Sequence, residues 1–152
     1  MLTVSKLVKV RIELPPENVL NASAETLWAE PLEKGLFKLQ NSPFGAYGYS
    51  FEDVVLADDN EIPNVLGVHE NSGRSTYRIL LKDGVLDTDE FAQAWKKLES
   101  IGCTYEGSES KLLAIDVPAN TDIFHAYKLL EAGEEADLWE FEEAKCAHNI
   151  EA

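Results

Sequence analysis

The chain is short of bases. Thirteen Lys and Arg stand against 28 Asp and Glu in 152 residues, a net charge of −15. That deficit argues against partners held through counterion release at Lys and Arg, so neither nucleic acid nor an anionic membrane surface is expected. Long apolar runs are missing too, and none approaches the roughly 20 residues that span a bilayer. The opening Met1-Leu2-Thr3-Val4-Ser5-Lys6 has no charged region leading into an apolar core and a small-residue cleavage site, so it does not read as a signal peptide. A cytoplasmic location follows as the expectation. Cysteine is scarce: Cys103 and Cys146 stand 43 positions apart and read as free thiols that pack as small apolar groups.

The motifs that carry chemistry are absent as well. His69, His125 and His148 lie far from one another and from the cysteines, without the spacing of a zinc site. There is no Gly-x-Ser-x-Gly elbow and no phosphate-cradling glycine loop before a helix. Asp58-Asp59-Asn60-Glu61 offers oxygen ligands without the alternate spacing and glycine of a calcium loop. Carboxylates are so numerous that adjacency cannot nominate a general acid and base. No metal, no cofactor and no catalytic residue is expected.

What is present is an ordinary globular composition, 45% apolar and 27% charged, and a chain able to bury roughly two-thirds of its unfolded surface. Val4–Leu14 alternates, with Val8, Val10, Ile12 and Leu14 facing one way, which predicts a strand with one wet face. Pro15-Pro16 stops it, and Glu17–Glu25 is a polar connector. Thr26–Pro31 and Leu36–Asn41 read as a hairpin turning at Gly35, with Trp28 and Phe37 as core anchors. The irregular Asn41–Tyr49 run holds three aromatics expected to pack under the loop. Short strands at Val54–Ala57 and Val65–His69 complete a small antiparallel SH3-like barrel or curled sheet over residues 1–74.

Residues 75–152 give the sharper pattern. In Thr76–Lys82, Tyr77, Ile79 and Leu81 share one face, the mark of a central strand. Asp87 caps a helix with Glu90 completing a capping box, Phe91, Ala94, Trp95, Leu98 and Ile101 recur at helical spacing, and Gly102 ends the run. Strands Cys103–Glu106 and Leu112–Val117 follow around a Gly107–Ser110 turn. Pro118–Asp122 leads into a second helix striped by Ile123, Tyr127 and Leu130, which Gly133 closes. Leu138–Ala144 is a last strand. The order βαββαβ is that of ferredoxin-like domains, with the first and third strands central, the last at an edge, and both helices on one face. The N-terminal barrel is expected to cover the other face, at Leu80, Leu112 and Ala114. The fold class is α+β, and such a fold settles no function.

A set of local motifs resembles a known family. These are Leu27-Trp28-Ala29-Glu30-Pro31-Leu32, Asn41-x-Pro43-Phe44, Phe51-x-Asp53-Val54-Val55, Ser72-Gly73-x-Ser75-Thr76-Tyr77-Arg78, Gly102-Cys103 and Asp116-Val117-Pro118. Together they resemble the uncharacterised bacterial domain of unknown function numbered four-two-six-five. The resemblance implies a bacterial, cytoplasmic, standalone domain, and it carries over no site.

Function is then read from charge. Residues 1–74 carry a net −5 and residues 75–152 a net −10, and between 131 and 143 there are seven acids and no base. Glu131, Glu134, Glu135, Asp137, Glu140, Glu142 and Glu143, with Asp58 and Asp59, are the candidate surface for a basic protein partner. Edge-strand charges that deter sheet-to-sheet aggregation are the plainer reading of the same cluster. An immunity protein or antitoxin that neutralises a cationic nuclease-type toxin fits the sharper one. The competing class is a small-ligand binder or enzyme with its site in a crevice between the halves, at Asn41, Phe44, Ser72, Gly73, Arg74 and Arg78, the two arginines gripping an anion.

Overall fold

The computed structural model describes residues 6–107 and 111–150. The start of the expected first strand, Val4 and Ser5, and residues 108–110 of the expected turn lie outside them. The architecture is mixed α+β, mostly strand, with two sheets and two helices. Contacts divide the chain into two compact units, Met1–Ser72 and Gly73–Ala152.

The first unit is a five-stranded antiparallel meander: β1 Val8–Glu13, β2 Ala24–Pro31, β3 Leu36–Leu39, β4 Val54–Ala57 and β5 Val65–Glu70, paired in chain order. Alternation sets its core, which gathers Val10, Ile12, Leu14, Leu27, Ala29, Leu39, Ala46 and Val55. Full burial of each larger aliphatic side chain contributes about 1.5–3 kcal/mol. Two irregularities in the β4–β5 ladder bend the sheet. The curl brings β1 to the approach of β5, where the Arg11 amide donates to the Pro63 carbonyl at 2.8 Å and the guanidinium to Asn64 Oδ1 at 3.1 Å.

Trp28 corrects the expectation for this core. Leu27 and Ala29 face inward, so a side chain between them must face out, and Trp28 is 45% exposed. Its ring lies under Lys9, with Nζ 5.3 Å from the centroid. Phe37 does pack against the core, half-buried. In the Asn41–Tyr49 loop Ser42, Pro43, Gly45 and Ala46 are buried, whereas Tyr47 is exposed.

The second unit runs β6 Ser75–Leu81, a single 3-10 turn Val85–Asp87, α1 Asp89–Ser100, β7 Thr104–Gly107, β8 Leu112–Val117, α2 Ile123–Glu135 and β9 Trp139–Lys145. The sheet order is β7-β8-β6-β9, every neighbour antiparallel. β6 and β8 are therefore central, and β9 is an edge beside β6. Tyr77, Ile79 and Leu81 join Leu113, Ile115, Val117, Trp95, Leu98, Leu130 and Trp139 in one core under the helices. By parity Thr76, Arg78 and Leu80 take the opposite face of β6.

Both helices end differently from the pattern reading at one terminus. The cap of α1 is Thr88, not Asp87: its Oγ1 accepts from the Phe91 amide at 3.2 Å, while Asp87 is spent in the 3-10 turn. Asp122 caps α2, accepting from the Phe124 amide at 3.0 Å. Gly133 does not close α2. It lies within the helix and is buried because the Trp139 indole packs on it, where any Cβ would overlap the ring. The helix runs on to Glu135, and the left-handed residue past its end is Asp137, φ 62°. Tyr127, expected in the buried stripe, is 42% exposed, and Ala126 takes its place.

Candidate functional site

The run of seven acids is built onto the C-terminal half of α2 and the edge strand β9, and all seven side chains are exposed. Strand parity and helix periodicity divide them. On one side of the sheet Glu140 lies 3.6 Å from Lys82 Nζ, with Asp137 at 3.9 Å from the same ammonium, and Glu142 accepts from Arg78 Nε at 3.0 Å. Glu143 takes the helix side, where it accepts from the Tyr77 hydroxyl at 2.9 Å. That bond and burial together push the Tyr77 phenol well above its ordinary value, burial being the larger cause. Glu134 accepts from the Phe141 amide at 3.3 Å. Among the described residues Glu131 and Glu135 have no side-chain partner. Glu134, Asp137 and Glu140 line a cavity of about 460 Å³ together with Lys82, Trp139 and Phe141.

Aromatic groups stand beside these acids, a feature the sequence reading did not use. Phe124 and Tyr127 lie three residues apart on α2, 54% and 42% exposed, and Glu131 and Glu134 continue their stripe toward the helix end. Tyr127 meets Phe141 of β9 edge-to-face at 5.4 Å, and both contact Tyr77, at 6.3 and 6.4 Å. This flank can hold a cation by charge and give it an apolar and π surface to rest on. The signal in the sequence was the spacing Phe124–Tyr127–Glu131, hidden because the aromatics read as core.

Asp58 belongs to a different structure. Its carboxylate accepts from the Asn64 amide at 2.8 Å and side chain at 3.0 Å, and from the Asn60 side chain at 2.8 Å. Those bonds, Asn64 first, hold its carboxyl below the ordinary value. Asp58 organises the β4–β5 connection, and Asp59 is exposed beside it.

The residues proposed for an anion-binding crevice are engaged in their own units. In the first, Asn41 Oδ1 accepts from the Trp28 amide at 2.8 Å, the Phe44 amide donates to Glu25, and the Ser72 amide donates to buried Asp53 at 2.8 Å. In the second, Gly73 adopts φ 89°. Arg74 pairs with Asp116 at 2.5 Å, and Arg78, 1% exposed, pairs with Glu142. Both guanidiniums already hold carboxylates.

Two further polar groups were not singled out by the sequence. Ser75 is buried, with Oγ 2.5 Å from His148 Nδ1 and accepting from the Ala147 amide at 2.9 Å. His148 Nε2 lies 2.8 Å from the Pro118 carbonyl. A carbonyl only accepts, so Nε2 carries a proton toward Pro118, and the group pins the segment after β9 to the start of β6. It resembles a nucleophile and base only in composition, because the hydroxyl is enclosed and its oxygen is used by backbone. Cys103 is buried, and loss of solvation, helped by the Asp116 charge, pushes its thiol up to about 12, so it stays unreactive. Neither cysteine is in a disulfide. No group of three or more His, Cys, Asp or Glu placed to hold a metal occurs among the described residues, and no helix there is long and apolar enough to cross a membrane.

A family model described as a domain of unknown function, DUF4265, matches residues 25–141. The chain belongs to the DUF4265 family. The match runs from Glu25 in β2 to Phe141 in β9 and so takes in both units. A solved structure described as the novel crystal structure of a hypothetical protein from Neisseria gonorrhoeae superposes with a TM-score of 0.75, at 17% identity, over 93% of this chain and 98% of that one. That likeness is one of fold. No curated protein matches the chain. Several residues that carry the DUF4265 resemblance are framework: Asn41, Asp53, Ser75, Gly102 and Asp116 each brace a turn, a strand end or an ion pair.

Proposed function

We propose that this DUF4265 protein is a cytoplasmic protein-binding domain whose acidic and aromatic flank on α2 and β9 docks a basic partner. The observation that carries the reading is the α2 stripe of exposed Phe124 and Tyr127 continued by Glu131 and Glu134, with Tyr127 edge-to-face on Phe141 and Glu143 on the Tyr77 hydroxyl. Aromatic anchors ringed by charge are the usual anatomy of an interface centre. Carboxylates crowded on one flank repel one another, and a partner's Lys and Arg relieve that repulsion and speed encounter. Glu140 and Glu142, beside Lys82 and Arg78 on the other side of the sheet, add less free charge to this surface.

Within this class we read the chain as an immunity protein or antitoxin that covers the phosphate-binding site of a cationic nuclease-type toxin. The net charge of −15 supports that choice. The second unit reads as ferredoxin-like, on its strand order, and the first as an SH3-like barrel, on the Arg11–Asn64 bridge that curls the meander. The small-ligand reading loses support because its two anion grips, Arg74 and Arg78, are paired internally.

The test is affinity capture from the source cell at low and high salt. The expected result is a basic protein released by salt, with a nuclease activity that the purified chain suppresses. A partner that is acidic, or retained regardless of salt, would count against the reading.

A further inference from the structure

Three consecutive backbone amides in the first unit converge on one carboxylate. The Phe44 amide donates to Glu25 Oε1 at 2.8 Å, and the Gly45 and Ala46 amides donate to Oε2 at 2.6 and 2.7 Å. Successive amides aimed at one point form a concave anion site, the arrangement by which backbone nests capture carboxylates. Bonds from amide to ionised oxygen are among the stronger ones a chain makes. The wall behind them is apolar. A Cβ on Gly45 would come within 2.9 Å of Leu20 Cδ1 and 3.0 Å of Leu14 Cδ1, so glycine lets the turn sit against those side chains.

The occupant comes from a neighbouring strand. Glu25 is next to the first residue of β2, opposite Ile12, and is only partly buried. Its flexible side chain reaches the nest, and these three amides are its side-chain partners. The nest itself is fixed by the buried Ser42–Pro43 and Gly45–Ala46 backbone, and its rim carries exposed Leu20 and Tyr47. We propose that the Phe44–Ala46 turn is a carboxylate-binding site with Glu25 as its resident, exchangeable occupant. Its ligand is a carboxylate, either free or at the end of a peptide whose last side chains rest on Leu20 and Tyr47. An external carboxylate binds in competition with Glu25, so the parent shows an affinity reduced by the fraction of time the nest is open.

The test follows the amide resonances of Phe44, Gly45 and Ala46 in the parent, Glu25→Ala and Glu25→Gln proteins. The probes are acetate, a short apolar peptide with a free carboxyl terminus, the same peptide amidated, and chloride at matched ionic strength. In Glu25→Ala, acetate or the acid peptide should move the three amides at concentrations at least about tenfold below those needed in the parent. Chloride and the amidated peptide should not. Response to acetate alone assigns the site to free carboxylates, and a stronger response to the acid peptide assigns it to chain ends. Should Glu25→Ala not fold, Glu25→Gln, which keeps an acceptor oxygen and loses the charge, is read in the same way. Amides that ignore both carboxylates in the variants, or that respond equally in parent and variants, would overturn the proposal.

Discussion

Asp137 and Gly102 hold the same position in the same helix terminator. After α1 the Gly102 amide donates to the Glu99 carbonyl and the Cys103 amide to the Leu98 carbonyl; after α2 the Asp137 amide donates to Glu134 and the Leu138 amide to Gly133. Each is the left-handed residue of a Schellman motif, φ 102° and 62°. Only one of them is glycine.

An L side chain in that conformation is strained. Asp137→Gly should therefore raise stability by about 0.5–1 kcal/mol, since the exposed ion pair to Lys82 contributes little. Gly102→Ala should lower it by at least as much, because the new Cβ would also meet Thr121 Oγ1 at 3.2 Å. Urea denaturation of the two variants against the parent measures both signs.

Trp139 has a place only because residue 133 has no side chain. Gly133→Ala should cost about 1–3 kcal/mol by overpacking. It should also loosen the indole, whose Nε1 donates to the Leu130 carbonyl at 2.9 Å. A loss of the buried-tryptophan fluorescence signature together with a lower denaturation midpoint is the expected readout. An unchanged midpoint would place Trp139 elsewhere.

Alkylation should discriminate the thiols. Cys146, partly exposed, should react with iodoacetamide in the native protein, and Cys103 only on unfolding. The raised Cys103 thiol fixes a sign as well: the unfolded chain releases that proton near 9.0 and the folded chain near 12, so stability should fall as pH rises through that interval. Tyr77 acts in the same direction.

Asp58 should act at the acid end. Its folded carboxyl lies below the ordinary 3.8, so its contribution is complete above that value and is lost as pH falls through the depressed one. The stability difference between the parent and Asp58→Asn should shrink over that window. A difference constant with pH would separate Asp58 from the loop it is seen to brace.

Much of the fold was legible because periodicity reports burial. The alternation in Thr76–Lys82 gave β6, the Phe91-to-Ile101 spacing gave α1, and Val54–Ala57 and Leu112–Val117 fell at the strand limits found. The misreadings share one cause, a residue type taken for its commonest role. Trp28 looked like core, yet its parity between Leu27 and Ala29 turns it outward. Gly133 looked like a helix stop, yet it serves Trp139, a contact made only once β9 returns to α2. Tyr127 looked buried and forms part of an exposed flank.

The acidic site was legible in composition and not in arrangement. Seven acids between 131 and 143 are visible in the chain, but their division depends on which partners β6 supplies. Arg78 and Lys82 claim Glu142 and Glu140, and Tyr77 claims Glu143. The nest closed by Glu25 left no pattern at all, since its donors are backbone and its acceptor lies about 20 positions away.

The most direct measurement is the affinity of a captured basic partner for two charge-matched variants. One reverses Glu131 and Glu135 on α2, and the other reverses Glu33 and Glu61, exposed in the first unit. Net charge changes equally in both. The account predicts a loss of about tenfold or more for the α2 pair and a small, salt-screened loss for the other. Equal losses would make the interaction one of overall charge and contradict a docking flank on α2 and β9.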